Sequence, residues 1–369
     1  MENVNVQYLN LLNDILENGT YKKTRSGNVY SVFDRNIKID MKQGFPLINT
    51  KKLFIRGSIH EMLWMLNGDT NIRYLVENNV HIWDDDAYRW YCHLIDENNK
   101  VVDMYGVIHS VSDNNIEYSY GKLEKCSKDV FINRCLSGFK FKYLALNNEN
   151  NEFSISIYEY GNLGPVYGKQ WRDYGSNHID QIKYLIDLLK NNPDDRRLLC
   201  NAWNPSDMND MALPPCHYAF QLYTRELSFE ERAEMLMKQN PFIEVVSLEA
   251  LDKFGIPKRE LSLKWYQRSC DFFLGVPLNI SGYALILSLL AHCTNMSVGT
   301  LSGSFGDCHI YESHLNAVKE QLTRDPLKYE LPKLKLNDKK NDIFDFNIND
   351  IVIENYQSYP KISAPLCVG

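Results

Sequence analysis

The segment from Ile280 to Asn295 constrains the fold more than any other part of this sequence, because it is apolar on nearly every side of a helix. A helix without a polar face is stable only when other elements cover it, so we expect it to lie at the centre of the molecule. His292 and Asn295 interrupt the apolar run, which stays shorter than the roughly 18 residues of a membrane span. We therefore expect a soluble protein built around one buried helix.

The periodicity of apolar residues predicts the elements that could cover this helix. Helical spacing occurs over 4–16, 55–66 and 179–191, and the last of these segments ends before Pro193. Alternating or β-rich composition predicts strands over 29–41, 197–203, 218–224 and 261–268. Helices and strands sharing one core indicate an α/β fold.

Charge and cysteine content limit the classes of function. The 369 residues carry a formal net charge of -7, which argues against a general nucleic-acid or membrane surface, so an anion site needs a local arginine cluster. The N-terminus lacks the features of a signal peptide, and the nine cysteines are typical of reduced cytoplasmic thiols. No two cysteines have Cys-x-x-Cys spacing, so no zinc site is predicted. We expect a cytoplasmic protein, or one of the host cytoplasm if the source is a virus.

Two segments differ in composition from the rest of the chain. Residues 91–159 are rich in Asn, Tyr and Ser, and residues 225–260 are charged and broken by Pro241 and Pro257. Neither has an obvious core of its own, so we interpret both as surface insertions. The prediction is a single domain over 1–369 with insertions at about 91–159 and 225–260.

One cysteine follows two prolines and precedes a histidine, in the run Pro214-Pro215-Cys216-His217. The prolines fix the backbone and a β-rich run follows, so the thiol is expected at the mouth of a strand, facing a pocket. A cysteine held in this way can serve as a nucleophile. A structural cysteine in a strand-entry turn is the alternative.

Arginines supply candidate anion ligands at two places. In the run Gln267-Arg268-Ser269-Cys270-Asp271, the arginine and serine could clamp a phosphate, and the arginine could lower the pKa of a nearby thiol. Arg196 and Arg197 are adjacent at an expected strand entry, so they point to opposite faces and can serve two different surfaces. An ordinary surface ion pair is the alternative for the Arg268 run, and a solvated run of charges is the alternative for Arg196 and Arg197.

Three further residues suit acid–base chemistry or base recognition. Glu61 is a lone carboxylate on an apolar helix face, where it either pairs with an arginine or is tuned for proton transfer. Tyr167 can act as an acid–base partner, although a structural tyrosine is more common. Asn279 can donate and accept at once, as the O4/N3–H edge of uracil requires.

His309 and Tyr311 lie two residues apart in an expected strand, so they share one face. Together they suit hydrogen bonding to a sugar hydroxyl. Metal ligation by His309 with His314 is the alternative, and no set of cysteine or carboxylate ligands accompanies it.

The order of these motifs along the chain resembles the folate-dependent thymidylate synthase family. The resemblance extends over nearly the whole chain outside the two insertions, and so many ordered motifs make it specific. The motifs are Arg25-Ser-Gly, Gly44-Phe-Pro-Leu, Thr50-Lys51-Lys52, Ile59-His-Glu61-Met-Leu-Trp64, Gly68-Asp-Thr-Asn71, Ile82-Trp83-Asp84, Gly164-Pro-Val-Tyr167-Gly-Lys-Gln-Trp171, Pro193-Asp-Asp-Arg196-Arg197, Ala202-Trp-Asn-Pro205, the Cys216 run, Arg268-Ser269, Asn279 and Gly306-Asp-Cys-His309-Ile-Tyr311.

The resemblance implies an α/β (α+β) fold with a mixed sheet and packed helices, and a homodimer formed sheet to sheet. It implies reductive methylation of dUMP to dTMP, with 5,10-methylenetetrahydrofolate as co-substrate and no metal. The expected partners are dUMP, the folate and a second copy of the chain, with no membrane and no required nucleic acid.

The resemblance also assigns roles to residues. Cys216 would add to C6 of dUMP, and the other expected catalytic residues are Glu61, Tyr167, His217, Arg268 and Asn279. The expected dUMP-binding residues are Arg25, Gln267, Ser269, Asp271, Asn279, His309 and Tyr311, joined by Arg196 and Arg197 from the second subunit. The expected folate-binding residues are Lys51 near the glutamate tail, Phe54, Ile82, Trp83, Asp271, Leu274, Gly275, Leu278 and Cys367.

The sequence departs from the family pattern near the folate and phosphate. Leu278 replaces the usual phenylalanine, Ser281-Gly282-Tyr283 replaces Ala-Ser-Tyr, the loop after Arg25 differs, and the tail runs one residue further. A looser folate site would admit water, so a dUMP hydroxymethylase making 5-hydroxymethyl-dUMP is the alternative function. An inactive nucleotide-binding homologue is a further alternative.

Overall fold

The computed structural model describes residues 1–105, 116–117, 122–147, 152–241 and 247–367. In these residues the helices are α1 (Val4–Asn18), α2 (Ile55–Leu66), α3 (Arg73–Glu77), α4 (Asp84–Tyr105), α5 (Lys128–Leu136), α6 (Tyr167–Arg172), α7 (Gln181–Asn191), α8 (Phe229–Gln239), α9 (Leu248–Lys253), α10 (Gly275–Cys293) and α11 (Leu315–Leu322). The strands are β1 (Thr20–Thr24), β2 (Gly27–Asp40), β3 (Ile116–Glu117), β4 (Lys140–Asn147), β5 (Glu152–Glu159), β6 (Leu199–Asn201), β7 (His217–Glu226), β8 (Arg259–Asp271), β9 (Ser297–Tyr311), β10 (Lys333–Leu336) and β11 (Ile351–Glu354).

Six strands form one mixed sheet in the order β1-β2-β9-β8-β7-β6. β8 and β9 are parallel, and the other neighbours are antiparallel. This confirms the mixed α/β architecture. The register pairs Asp271 with His309 across β8 and β9, and His217 with Gln267 across β7 and β8. Candidate residues that are far apart in sequence therefore meet where β7 begins and β8 and β9 end, at one end of these neighbouring strands.

The apolar helix α10 lies at the centre, as predicted, and packs on β8, β9 and α2. It begins at Gly275 rather than Ile280, because Pro277 in the first turn loses no intrahelical hydrogen bond. Gly282 lets α2 approach closely, since a Cβ atom there would lie 3.0 Å from Met62 Sδ. Among the described residues, α10 is the helix long and apolar enough to cross a membrane, but most of it is buried inside the protein.

The other predicted elements differ from the structure mainly at their ends. The helices expected over 4–16, 55–66 and 179–191 correspond to α1, α2 and α7. The strand expected over 197–203 shrinks to β6, because side chains bind the flanking backbone instead. Asp195 Oδ1 accepts from the Arg197 backbone N–H at 2.7 Å, and Asn201 Oδ1 accepts from the Trp203 backbone N–H at 2.9 Å.

The two segments interpreted as insertions contact the scaffold differently. The boundary at residue 91 falls inside α4, and the buried rings of Tyr91 and Phe131 lie 5.2 Å apart within the main core. Residues 225–260 include α8 and α9, which close on a small separate cluster of Leu236, Leu251 and Ile256. Residues 106–115, 118–121, 148–151 and 242–246 lie outside the described residues. The division into one domain with two insertions therefore stays a prediction.

The face of the large sheet opposite α10 carries exposed side chains. Tyr223 of β7 is 67% exposed and Leu199 of β6 is 44% exposed. The register pairs Tyr223 with Ser262 and Leu199 with Gln221, so all four residues belong to this face. It is a candidate surface for association.

Candidate active site

A cavity of about 420 Å³ opens beside the ends of β7, β8 and β9, the start of α10 and the C-terminal tail. It is not the largest concavity, but the described residues that line a groove of about 950 Å³ near Met41 include no cysteine. The smaller cavity brings together most of the predicted site residues: Arg25, Glu61, Ile82, Trp83, Tyr167, Cys216, His217, Gln267, Arg268, Ser269, Asp271, Leu274, Gly275, Leu278, Asn279, His309, Tyr311 and Cys367.

Four lining residues were not predicted: Ser26, Asp86, Leu213 and Leu366. Asp86 lies in the first turn of α4, forms an ion pair with Arg89 and has its pKa raised mainly by burial. Its only sequence signal is the run of three aspartates after Trp83, which is typical of a helix N-terminus. Leu213 lies just before the Pro214-Pro215-Cys216 run, and Leu366 belongs to the C-terminal tail. An aliphatic side chain does not by itself indicate a binding site.

Lys51 and Phe54 do not line the cavity. Lys51 is buried, its Nζ donates to the carbonyl oxygen of Phe273, and the same Nζ lies 3.4 Å from the centroid of that ring. Burial lowers the pKa of this amine to about 7. Phe54 is 50% exposed just before α2. Their contacts with folate stay predictions.

Arg196 and Arg197 are exposed and also lie outside the cavity. Arg197 forms an ion pair with Asp195, with 2.5 Å between Nη2 and Oδ2. Within one chain, therefore, neither guanidinium belongs to the set that surrounds Cys216.

The backbone of Cys216 is held on both sides. Its N–H donates to the Tyr167 hydroxyl at 2.8 Å, and its carbonyl oxygen accepts from the Arg268 backbone N–H at 2.8 Å. The Arg268 side chain donates from Nε to the Pro215 carbonyl and from Nη2 to the Pro214 carbonyl, both at 2.9 Å. These bonds fix the thiol in the cavity and place a guanidinium beside it.

The Arg268 guanidinium lowers the pKa of this thiol, as predicted, but the net shift is upward. Burial raises the pKa of Cys216, and this outweighs the opposite effect of the Arg268 guanidinium. Asp86 acts in the same direction as burial. The group is therefore a neutral thiol before substrate binds.

Glu61 projects from α2 into the cavity. One oxygen, Oε1, accepts from the indole N–H of Trp83 at 2.8 Å, so its hydrogen-bond partner is not an arginine. Burial raises the pKa of this carboxyl to about 7, while the indole hydrogen bond lowers it. A carboxyl that titrates near neutral pH suits proton transfer, the second of the two roles predicted for it.

His217 and Tyr167 form a neutral pair next to Cys216. Their rings stack at 4.4 Å, and His217 Nδ1 shares a 2.8 Å hydrogen bond with the hydroxyl of Tyr283. Burial lowers the pKa of His217 to about 3 and raises that of Tyr167 well above its usual value. At neutral pH the imidazole is uncharged and the phenol keeps its proton.

A chain of hydrogen bonds orients the amide of Asn279. Trp265 Nε1 donates to Gln267 Oε1 at 3.2 Å, and Gln267 Nε2 donates to Asn279 Oδ1 at 3.1 Å. With the oxygen of Asn279 engaged in this way, its NH₂ group is directed as a donor. The position therefore suits recognition of a base carbonyl.

His309 and Tyr311 face the cavity together, with ring centroids 5.2 Å apart. His309 Nδ1 lies 3.0 Å from Asp307 Oδ1, and Asp307 also pairs with Lys22 at 3.0 Å. His314 Nε2 contacts the carbonyl oxygen of Pro365, and no group of metal-ligating side chains forms within the described ranges. These residues therefore do not support the alternative metal site.

Comparison with known proteins gives a consistent result. Residues 6–368 match the family described as thymidylate synthase. A thymidylate synthase of Listeria monocytogenes serotype 4b (strain CLIP80459) is 37% identical over 98% of this chain and 99% of that protein. Those of Listeria innocua serovar 6a (strain ATCC BAA-680 / CLIP 11262) and Listeria monocytogenes serovar 1/2a (strain ATCC BAA-679 / EGD-e) are 37% and 36% identical, with the same coverage.

Proposed function

The chain belongs to the thymidylate synthase family, and on that premise we propose that Cys216 is the nucleophile with which it methylates dUMP. The enzyme is a C1-transferring methyltransferase that makes dTMP, with 5,10-methylenetetrahydrofolate as co-substrate. One observation carries the proposal: a rigidly held thiol, a carboxyl titrating near pH 7 and an oriented amide share one cavity.

Cys216 acts by adding its sulfur to C6 of the uracil ring. The thiol proton leaves, an S–C6 bond forms, and the C5=C6 electron pair moves through C4 onto O4, so that C5 becomes nucleophilic. After carbon transfer the proton on C5 is removed and the bond between the transferred carbon and the folate nitrogen breaks, which leaves an exocyclic methylene on C5 and tetrahydrofolate. Hydride from the tetrahydrofolate then reduces this methylene to the methyl group while the S–C6 bond breaks to restore the C5=C6 double bond, so that dTMP, the free thiol and dihydrofolate are released. Because burial favours the neutral thiol at rest, ionisation belongs to the addition step.

Glu61, Tyr167 and His217 manage protons around this step. Glu61 exchanges protons at O4 and on the folate through water, since its pKa of about 7 makes both charge states accessible. Tyr167 holds the backbone of Cys216 and assists at C5. His217 remains neutral, so it orders water without adding charge.

The nucleotide is bound by three groups of residues. Arg25, Arg268 and Ser269 hold the phosphate, because a guanidinium fork matches phosphate geometry. Asn279, oriented by Gln267, reads the uracil edge. The sugar hydroxyl is bound by His309 and Tyr311, and Asp271 lies at the boundary with the folate site.

The folate occupies the more apolar part of the cavity. Its walls are residues from the start of α10, the turn before α4 and the tail, namely Ile82, Trp83, Leu274, Gly275, Leu278 and Cys367. Burial of apolar surface there favours binding of the co-substrate's rings. Lys51 and Phe54 lie outside these walls, and their proposed contacts are with the part of the folate beyond the cavity, with Lys51 near its glutamate tail.

We also propose that two chains associate through the sheet face that exposes Tyr223 and Leu199. Arg196 and Arg197 lie outside the cavity of their own chain and are exposed, which leaves them able to reach the partner's phosphate site. The proposed location is the cytoplasm, consistent with nine unpaired cysteines among the described residues.

The alternative functions are less well supported. Leu278 in place of the usual aromatic is the feature that favours a hydroxymethylase, but the three relatives named above are all thymidylate synthases. An inactive homologue would lack a nucleophile, a phosphate arginine or a base-reading amide, and the cavity contains all three.

The test is to incubate the protein with dUMP and 5,10-methylenetetrahydrofolate and to identify the nucleotide product by mass. We expect dTMP and an equal amount of dihydrofolate. Cys216→Ser should abolish turnover, whereas Cys92→Ser, which changes a partly exposed thiol outside the cavity, should not. A product with the mass of 5-hydroxymethyl-dUMP would contradict the proposal.

A further inference from the structure

His314 is a fully buried imidazole to which the proposed reaction assigns no task. It ends the short 3₁₀ turn Glu312–His314 after β9, and its ring contacts those of Phe273 and Tyr311, with centroids 5.5 and 5.3 Å away. Its side chain is 0% exposed. Burial of a polar ring is unfavourable unless its nitrogens have partners, so the contacts of each nitrogen indicate what the residue does.

The Nε2 atom of His314 holds the C-terminal tail. It lies 2.8 Å from the carbonyl oxygen of Pro365. A carbonyl oxygen only accepts hydrogen bonds, so Nε2 carries the hydrogen and donates it. The next two residues, Leu366 and Cys367, form part of the cavity wall. One hydrogen bond from His314 therefore fixes the tail at the point where it enters the site.

The Nδ1 atom faces Asp271. Within the part of the chain that the structure describes, it has no hydrogen-bond partner, and the nearest carboxylate oxygen, Asp271 Oδ1, lies 3.9 Å away. The same oxygen accepts from the backbone N–H groups of Phe273 and Leu274, both at 3.0 Å. Asp271 thus holds the turn into α10, and its Oδ1 lies about 1 Å beyond hydrogen-bonding distance from His314 Nδ1.

We propose that His314 is a positioning residue that couples the C-terminal tail to Asp271 and so sets the shape of the folate end of the cavity. One ring nitrogen fixes Pro365, and the other faces the carboxylate at the start of the α10 turn. The identity of the ligand rests on the proposed function, whereas the coupling rests on these contacts. His314 itself does not line the cavity and acts through Leu366, Cys367 and Asp271.

Two matched substitutions test this coupling in the full-length enzyme. His314→Gln places an amide nitrogen near the position of Nε2 and can still reach Pro365, whereas His314→Asn is one methylene shorter and cannot. For His314→Asn we expect the KM for methylenetetrahydrofolate to rise about fivefold, the effect of one lost neutral hydrogen bond. The KM for dUMP should change less than about twofold in the same variant, because the lost bond lies at the folate end. His314→Gln keeps the bond to Pro365 but has no group in the place of Nδ1 facing Asp271, so its KM for methylenetetrahydrofolate should rise less than that of His314→Asn.

A second readout needs no catalysis. Cys367 is partly exposed, and its Sγ lies 3.9 Å from His314 Nε2, so its alkylation rate reports the position of the tail. Iodoacetamide labelling of the ligand-free proteins, followed by peptide mass mapping, should show faster modification of Cys367 in His314→Asn than in His314→Gln. This result stands even if the enzyme makes no dTMP, so failure of the coupling can be distinguished from failure of the proposed function.

Either of two results would overturn the proposal and make His314 a purely structural core residue. One is an equal rise in the KM for methylenetetrahydrofolate in the two variants. The other is unchanged labelling of Cys367 in a folded His314→Asn protein. Thermal unfolding establishes that each variant is folded. If His314→Asn does not fold, His314→Phe takes its place, because it keeps a ring against Phe273 and Tyr311 but has no donor for Pro365.

Discussion

Replacing Glu61 by glutamine should make the protein more stable at alkaline pH while removing its activity. The carboxyl is buried in the cavity wall, and its pKa rises from the ordinary value of 4.5 to about 7. The folded chain therefore holds this proton more tightly than the unfolded chain does. Below pH 4.5 both states are protonated, and the group contributes no penalty. As the pH rises from 4.5 through 7, the unfolded chain ionises first, so the free energy of unfolding falls.

The size of this effect follows from the two pKa values. A difference of about 2.5 pH units corresponds to ~3 kcal/mol when each unit is worth ~1.36 kcal/mol, and this loss is complete above pH 7. Glutamine has the same shape, can still accept the hydrogen bond from Trp83 and does not titrate. Water that enters the cavity reduces the penalty, so ~3 kcal/mol is an upper bound for the advantage of Glu61→Gln.

The assay is denaturant unfolding of both proteins at equal concentration and at pH 5, 7 and 8.5. The advantage of Glu61→Gln should grow by ~2 kcal/mol or more between pH 5 and pH 8.5. Glu17→Gln, at an exposed position near the end of α1, serves as the control and should show no such trend. An advantage that stays constant or shrinks with rising pH would refute the assignment of a buried, destabilised carboxylate to Glu61.

Three further substitutions test other parts of the site. Trp83→Phe removes the indole hydrogen bond that lowers the pKa of Glu61, so the inflection near pH 7 in kcat/KM should move up by about one pH unit; an unchanged profile would contradict this role. Leu278→Phe adds apolar surface to the cavity wall, and the KM for methylenetetrahydrofolate should fall about threefold, whereas a higher KM would indicate that leucine fits this site better. Tyr223→Glu places a charge on the exposed sheet face, and sedimentation should show monomers with little activity; active monomers would exclude completion of the site by a second chain.

The spacing of apolar residues predicted the helices that are buried on a constant face or on every side. The spacing of α2 predicted its bounds, and the lack of a polar face predicted that α10 is central, because burial on all sides leaves a clear pattern in sequence. The start of α10 was missed, since Pro277 is compatible with a first turn as well as with a loop. The length of β6 was overestimated because the side chains of Asp195 and Asn201 bind nearby backbone N–H groups. Strand propensity does not take such local hydrogen bonds into account.

Motifs predicted the positions of side chains in the cavity, whereas the surroundings that set the pKa and burial of those side chains could not be predicted. Cys216 was placed correctly at the mouth of a strand, but its raised pKa depends on a burial that no local pattern reveals. Lys51 was identified by its motif, yet its burial depends on Phe273, which is 222 residues away. Asp86 could not be distinguished from two neighbouring aspartates until the first turn of α4 placed it against the cavity.

The central claim is that Cys216 activates C5 of dUMP by adding to C6, and the release of tritium from dUMP labelled at C5 tests it most directly. The C5–H bond breaks only after the ring has been activated, so the wild type should release tritium into water in step with dTMP formation when the folate is present. Cys216→Ser should bind dUMP but release none. Tritium release by a folded Cys216→Ser protein at a rate close to that of the wild type would contradict the account.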